Sequence, residues 1–277
     1  MPEKPLQLQG LFYFQLLHLQ PMARYFLEVM YDGTAFHGSQ IQGEQVTVQL
    51  EINKTLNTLL KTSVESFGAS RTDEGVHAFC NFYHFDTEQA LKDTFLYNMN
   101  SILPHTLAIK NIYIANDPNA NARFDATSRK YRYRIYGKKD PFLYNRAYYF
   151  PFKIDRGMLN QTAAIIKEYT AFESFSKRNT QTKTFNCTIH QSYWEEGGKE
   201  LHYMVEANRF LRGMVRGLVG TQLQVARGKM TVAQFRLVME GKDNTEADFS
   251  VPGHGLYLEE IKYPVGALSL FQSILAK

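Results

Sequence analysis

Residues 67 to 85 read Phe67-Gly68-Ala69-Ser70-Arg71-Thr72-Asp73-Glu74-Gly75-Val76-His77-Ala78-Phe79-Cys80-Asn81-Phe82-Tyr83-His84-Phe85. Gly68 and Gly75 bracket a turn whose backbone can take conformations that a side chain forbids. The apolar run from Ala78 to Phe85 then leaves the turn as a strand. Arg71 and Asp73 are thereby set at a strand mouth. A carboxylate near a fixed positive charge stays ionised at neutral pH, which suits a nucleophile or a base better than an acid. The competing reading is a structural turn closed by an Arg-Asp ion pair, because turn aspartates commonly bond their own backbone.

Upstream, Arg24 to Tyr31 alternates, with Tyr25, Leu27, Val29 and Tyr31 on one face, and predicts a strand that Asp32-Gly33-Thr34 ends in a turn. Val48, Ile52, Leu56 and Leu59 fall on one helical stripe, a core pattern more than a ligand face. Downstream, Leu91, Phe95 and Met99 predict a helix over 88–100 that Pro104 stops, and Leu107 to Ala115 predicts a further strand. The first half thus alternates strand and helix. The polar stretch Asn116 to Asn121 marks the domain boundary.

Beyond it, seven Lys or Arg residues and one acid, Asp125, lie between Arg123 and Lys139. Lys130, Arg132 and Arg134 alternate with Tyr131, Tyr133 and Ile135, which on a strand sets cations on one side and mostly aromatic rings on the other. Cations suit phosphates and rings suit unpaired bases. An ordinary amphipathic strand, cations in solvent and tyrosines in the core, reads equally well. A helix over 155–167, a hairpin from Ile189–Trp194 and Leu201–Ala207, a helix starting near Phe210, a capped helix from Thr231 and a last strand after Gly255 complete the chain. Arg209, Arg212 and Arg216 lie off the apolar stripe of the helix near Phe210. Its glycines at 213, 217 and 220 do not follow G-x-G-x-x-G and suit close backbone packing better than a dinucleotide loop.

The totals exclude several classes. A length of 277 residues fits one large domain or two ordinary ones, and two suit this pattern. A net charge of +4 means that an anionic partner is met by a local patch and not by the whole surface. Cys80 and Cys187 stand far apart without a CxxC or Cys/His cluster, against a zinc site and a disulfide scaffold, so a reducing cytoplasm is expected. No apolar run nears the roughly 20 residues of a membrane span. Residues 1–21, with Lys4 and an apolar patch from Leu11 to Leu19 but no small-residue cleavage site, read as an extension outside the fold.

Five blocks then carry a resemblance. Tyr31-Asp32-Gly33-Thr34, Ser70 to Ala78, Arg129-Lys130-Tyr131-Arg132-Tyr133, Phe210-Leu211-Arg212-Gly213-Met214-Val215-Arg216 and Gly255-Leu256-Tyr257-Leu258 resemble, in order, the signature blocks of the TruA family of tRNA pseudouridine synthases. The resemblance spans residues 24 to 264. It implies an α+β protein: two α/β domains, 22–118 and 119–277, each with a mainly antiparallel sheet flanked by helices. Between them it implies a basic cleft holding the active site.

By the same resemblance Asp73 is the essential catalytic residue and Arg71 enters the RNA where the target uridine flips out. Tyr131 stacks on that base and removes its C5 proton, Arg216 pairs with Asp73, and Leu256 lines the base pocket; Arg132 and Arg212, as cations of the basic segment and of the Phe210 block, are expected to contact the RNA. The implied substrates are uridines at tRNA positions thirty-eight to forty in the anticodon stem-loop, gripped by a homodimer without cofactor or metal. Ser39 replaces a common tryptophan, Ser70 a common glycine, and Arg212-Gly213 frequent histidines. None is a proposed chemical group, so the departures bear on site choice.

Two other functions compete with this one. A binding-only relative that holds structured RNA would have no need of the whole catalytic set. A glycosidase built on Asp73 and Glu74 has poor geometry, since adjacent residues of an extended segment point to opposite sides. His37, His77, His84 and His254 lack triad or metal-ligand spacing and read as structural, with His77 bracing the motif.

Overall fold

The computed structural model describes residues 22–177 and 182–274; the expected extension at residues 1–21 lies outside the described residues. The first half runs β1 (Ala23–Tyr31), α1 (Val48–Leu60), β2 (Phe67–Gly68), β3 (His77–Thr87), α2 (Phe95–Ile102) and β4 (Leu107–Ala115). The second runs β5 (Ser128–Tyr136), β6 (Tyr148–Tyr149), α3 (Arg156–Ile166), β7 (Ile189–Gly197), β8 (Glu200–Ala207), α4 (Met214–Ala226), α5 (Val232–Glu240), β9 (Leu256–Lys262) and β10 (Leu268–Ser273).

The strands form one mixed, mainly antiparallel sheet in the order β10-β4-β1-β3-β9-β5-β8-β7, with β2 beside β3 and β6 beside β5. The fold is therefore α+β, as the resemblance implies. Its two halves meet where β3 and β9 run parallel, pairing His77 with Tyr257 and Ala78 with Leu258. A parallel pair lays two N-terminal ends side by side, so the loop before β3, which carries Asp73, lies against the loop before β9. The approach is tight: a Cβ on Gly253 would stand 2.4 Å from the Glu74 carbonyl oxygen. Only glycine fits there.

Ile52 and Leu56 of α1 and Met99 of α2 are fully buried with Leu27 of β1. Phe172, Phe175, Leu218 of α4 and Phe235 of α5 do the same under the second half. A Cβ on Gly220 would meet the Asp248 carbonyl oxygen at 2.1 Å, so this glycine seats α4 against a neighbouring backbone.

Three local expectations change. The helix predicted over 88–100 starts only at Phe95, because the Gln89 N–H bonds Thr87 Oγ1 at 3.1 Å and the Gln89 amide donates to the Leu60 carbonyl at 2.8 Å. The helix predicted from Phe210 starts at Met214, because Gly213 takes φ 76° and caps it in the left-handed region. Arg212 therefore precedes the helix, and only Arg216 lies in its first turn. The chain also does not end its sheet before Pro264: it turns through Gly266 and adds β10 antiparallel to β4, Leu268 opposite Ala115.

Candidate active site

The backbone of residues 70–76 is held from below by the first half of the sheet. Ser39 Oγ accepts the Thr72 N–H at 2.8 Å, and the Ser39 N–H donates to the Thr72 carbonyl at 3.0 Å. Asn81 Nδ2 donates to the Ser70 carbonyl at 3.0 Å and to Tyr31 OH at 3.2 Å, and that hydroxyl lies 2.8 Å from Thr72 Oγ1. These partners are buried, and burial pushes the Tyr31 phenol up to about 12, so it stays a neutral link in the network. Gly75, at φ 76°, lets the Val76 N–H return to the Asp73 carbonyl at 3.2 Å. With its backbone satisfied, the loop projects the half-buried Asp73 side chain away from the core.

Cations from the second half meet that carboxylate. Arg216 Nη1 lies 3.4 Å from Asp73 Oδ2, while Arg216 Nε donates to the Val251 carbonyl at 2.8 Å and Nη2 to that of Phe249 at 3.4 Å. A guanidinium held on three sides is aimed, which a lysine cannot reproduce. Lys177 is a second cation, with Nζ 4.0 Å from Asp73 Oδ2. Its N–H donates to the Arg212 carbonyl at 3.0 Å and its methylenes lie over Gly213, where a Cβ would come within 3.0 Å of Lys177 Cγ. Sequence reasoning missed Lys177, which stands in the loop segment Glu173 to Lys177 with no periodic or motif signal.

Tyr131 is buried and packs edge-on against Phe210, ring centroids 5.1 Å apart. Burial first, with the negative charge of Asp73 adding to it, pushes its phenol well up, so Tyr131 is a neutral ring at physiological pH. Leu256 is buried at the start of β9, paired with Tyr133, whose hydroxyl donates to the Pro252 carbonyl at 2.8 Å. Asp73, Arg216 and Tyr131 are thus drawn toward the seam, and Arg212 is exposed beside it.

Arg132 is not brought there. It alternates to the sheet face opposite Tyr131 and pairs with Glu259 at 2.7 Å; Arg134 pairs likewise with Glu200 at 2.7 Å and lies over the Tyr257 ring. Arg132 and Arg134 are therefore neutralised on the far face, with Tyr131 and Tyr133 in the core. The tyrosines lie in the core, as the amphipathic-strand reading has it, but Arg132 and Arg134 meet acids of the fold and not open solvent. The Asp73 side instead carries Arg71, Arg123 and Arg209, close enough that Arg71 and Arg209, after burial, lower the Arg123 pKa.

His77 braces the motif: its Nδ1 accepts the Gly33 N–H at 3.2 Å, its Nε2 faces the Asn145 carbonyl at 3.1 Å, and its ring stacks on Tyr257. It also lines a cavity of about 350 Å³ with Asp32, Phe79, Arg134, Arg146 and Tyr257, and Asp73 is not among its walls. Among the described residues no group of three His, Cys, Asp or Glu side chains could hold a metal ion, and no helix is long and apolar enough to cross a membrane.

A buried-backbone loop that presents one carboxylate to an arginine across a sheet seam, beside arginines that form no ion pair among the described residues, describes an enzyme acting on a polyanion. Comparison with known proteins narrows the class. Residues 170–264 match the family model described as tRNA pseudouridine synthase. Over 88% of the chain and 97% of the relative, it is 44% identical to tRNA pseudouridine synthase A of Parabacteroides distasonis. Identity is 42% over 88% of the chain and 91% of the relative for the protein of that name from Bacteroides thetaiotaomicron. For that from Bacillus subtilis it is 34% over 85% and 97%. The chain belongs to the tRNA pseudouridine synthase family, isomerases that act on uridine in RNA.

Proposed function

We propose that the protein converts uridine to pseudouridine at positions thirty-eight to forty of the tRNA anticodon stem-loop, with Asp73 as the catalytic carboxylate. The observation that carries this reading is the meeting of Asp73 with Arg216 across the parallel seam, 3.4 Å apart. The reaction detaches uracil from C1′, turns it and rejoins it through C5, releasing the C5 hydrogen as a proton. That chemistry needs a fixed carboxylate, an extruded base and exclusion of water.

In this reading Arg71 enters the RNA as the uridine flips out, Arg216 aims Asp73, Leu256 lines the pocket, and Arg212 contacts the RNA from beside it. Tyr131 stacks on the base. As a neutral phenol it takes the C5 proton only in step with loss of its own. Arg132, turned to the opposite face and neutralised by Glu259, fits RNA contact poorly. We further propose two domains divided at residues 118/119, a homodimer that grips one tRNA and residence in the cytoplasm, where tRNA is modified.

The test is incubation of unmodified tRNA transcripts with the wild type and Asp73→Ala, followed by mapping of pseudouridine. Product in the anticodon arm with wild type, and none with a variant that still binds RNA, supports the reading. Product confined to another arm sinks the substrate assignment. Product from Asp73→Ala sinks the catalytic one.

A further inference from the structure

Next to the site stands an aromatic ring that the fold keeps out of its core. Phe124 is 76% exposed, although burial of an aromatic side chain is favourable. Its turn is fixed at both ends. Asn121 Oδ1 accepts the N–H groups of Arg123 at 2.9 Å and Phe124 at 3.2 Å, and the Asn121 N–H donates to Asp125 Oδ2 at 2.7 Å. From beneath, the Ala122 N–H donates to His84 Nδ1 at 3.2 Å, Tyr263 OH donates to the Ala122 carbonyl at 2.6 Å, and Arg129 donates to the Arg123 carbonyl. A turn anchored this densely displays its ring by construction.

The surroundings of that ring are cationic. The Arg123 guanidinium lies 5.5 Å from the Phe124 centroid, and Arg71 and Arg209 are the positive charges that act on Arg123. None of the three arginines forms an ion pair among the described residues, whereas Arg132 and Arg134 on the far face are both neutralised. Neighbouring cations that form no ion pair with the acids of the fold are complementary to a chain of phosphates. An exposed flat ring beside Arg123 is complementary to a base, which presents a π-face whatever its identity.

We propose that Phe124 is a stacking platform for an unpaired nucleobase of the substrate RNA next to the target uridine. Arg71, Arg123 and Arg209 then hold the flanking phosphates. The proposal rests on the reading of Asp73 as the centre of an RNA-modifying site, since Arg71 of this patch stands two residues from it. The platform acts on affinity and not on the chemical step.

Steady-state kinetics on unmodified tRNA transcripts test it with Phe124→Ala, Phe124→Leu and Phe124→Trp. Stacking is worth about 1 to 3 kcal/mol per base, so Ala and Leu raise KM roughly 5- to 140-fold with kcat within about twofold of wild type. Trp restores the wild-type KM. The new indole reports directly, because the chain's one native tryptophan, Trp194, is only 7% exposed, and RNA quenches emission at position 124. Arg123→Ala and Arg209→Ala each lower the slope of log affinity against log salt by about 1. An unchanged KM in Phe124→Ala, equal rescue by Leu and Trp, or an indole blind to RNA overturns the platform. Wild-type protein that yields no pseudouridine overturns instead the reading of the site, and RNA quenching in the Trp variant is read independently of that result.

Discussion

Arg216 invites a pair of substitutions that separate its charge from its shape. Arg216→Gln removes the charge 3.4 Å from Asp73; at that distance two unit charges attract by about 5 kcal/mol at an effective dielectric of about 20 and about 1 kcal/mol in water. The Asp73 side chain is 31% exposed, which sets the pair between these limits, at about 1 to 3 kcal/mol. At 1.36 kcal/mol per decade of rate, kcat falls roughly 5- to 150-fold. The same change removes the donors to Val251 and Phe249, each worth about 0.5 to 1.5 kcal/mol, so the melting temperature falls by several degrees.

Arg216→Lys keeps the charge but loses the fork, since one ammonium cannot serve both carbonyls and the carboxylate with the same geometry. Its rate falls between those of wild type and glutamine, with most of the thermal loss retained. The assay is single-turnover release of tritium from tRNA transcripts labelled at uridine C5, beside a thermal melt of each variant. The reasoning is refuted if Arg216→Gln melts early yet turns over within twofold of wild type. Arg216 would then only fasten the 249–251 segment.

Lys177→Met keeps the methylenes over Gly213 but removes a charge 4.0 Å from Asp73; the pair is partly exposed and worth about 0.5 to 1 kcal/mol, so single-turnover rate drops roughly two- to fivefold with an unchanged melting temperature. Gly220→Ala forces a Cβ to 2.1 Å from the Asp248 carbonyl oxygen and costs about 1 to 3 kcal/mol in a urea titration; the rate falls too, since the displaced segment leads into the Arg216 acceptors. His77, His84 and His254 are all held below the ordinary value of 6.5, burial being the first cause in each. Below 6.5 the unfolded chain binds more protons than the folded one, so stability is full above that pH and declines as pH falls toward the lowered folded values. Urea midpoints at about pH 7.5 and about 5.5 measure the decline, and His77→Asn flattens part of it.

What the sequence makes legible is what its local pattern determines. Period-two alternation places β1, and the Thr231 capping box forms with both bonds, at 3.1 and 2.8 Å. The seam is different in kind. Nothing local to Ala78 says that Leu258 lies beside it, and β3 and β9 are joined by only two residue pairs. Lys177 was invisible for the same reason: its proximity to Asp73 comes from a loop crossing the seam. Alternating cations in β5 read alike whether they face solvent, RNA or acids, and the acids that decide the matter, Glu200 and Glu259, lie on other strands.

That distribution of acids explains how a net charge of only +4 serves a polyanionic substrate. Glu28, Glu200, Glu206 and Glu259 pair with Lys110, Arg134, Lys262 and Arg132 across the face of the sheet turned away from Asp73. Moving those acids to the other face would leave composition and net charge unchanged, yet it would neutralise Arg71, Arg123 and Arg209. Salt screens exposed charges beyond roughly 8 to 10 Å, so an RNA strand responds to the charges it touches more than to the total. The sheet thus separates two uses of arginine. Arg132 and Arg134 are matched to carboxylates within the fold, whereas Arg71, Arg123 and Arg209 form no ion pair among the described residues and are open to an anion that arrives with the substrate. Arg216 stands between the two cases, matched to a carboxylate of the fold that is itself the reacting group in the proposed chemistry.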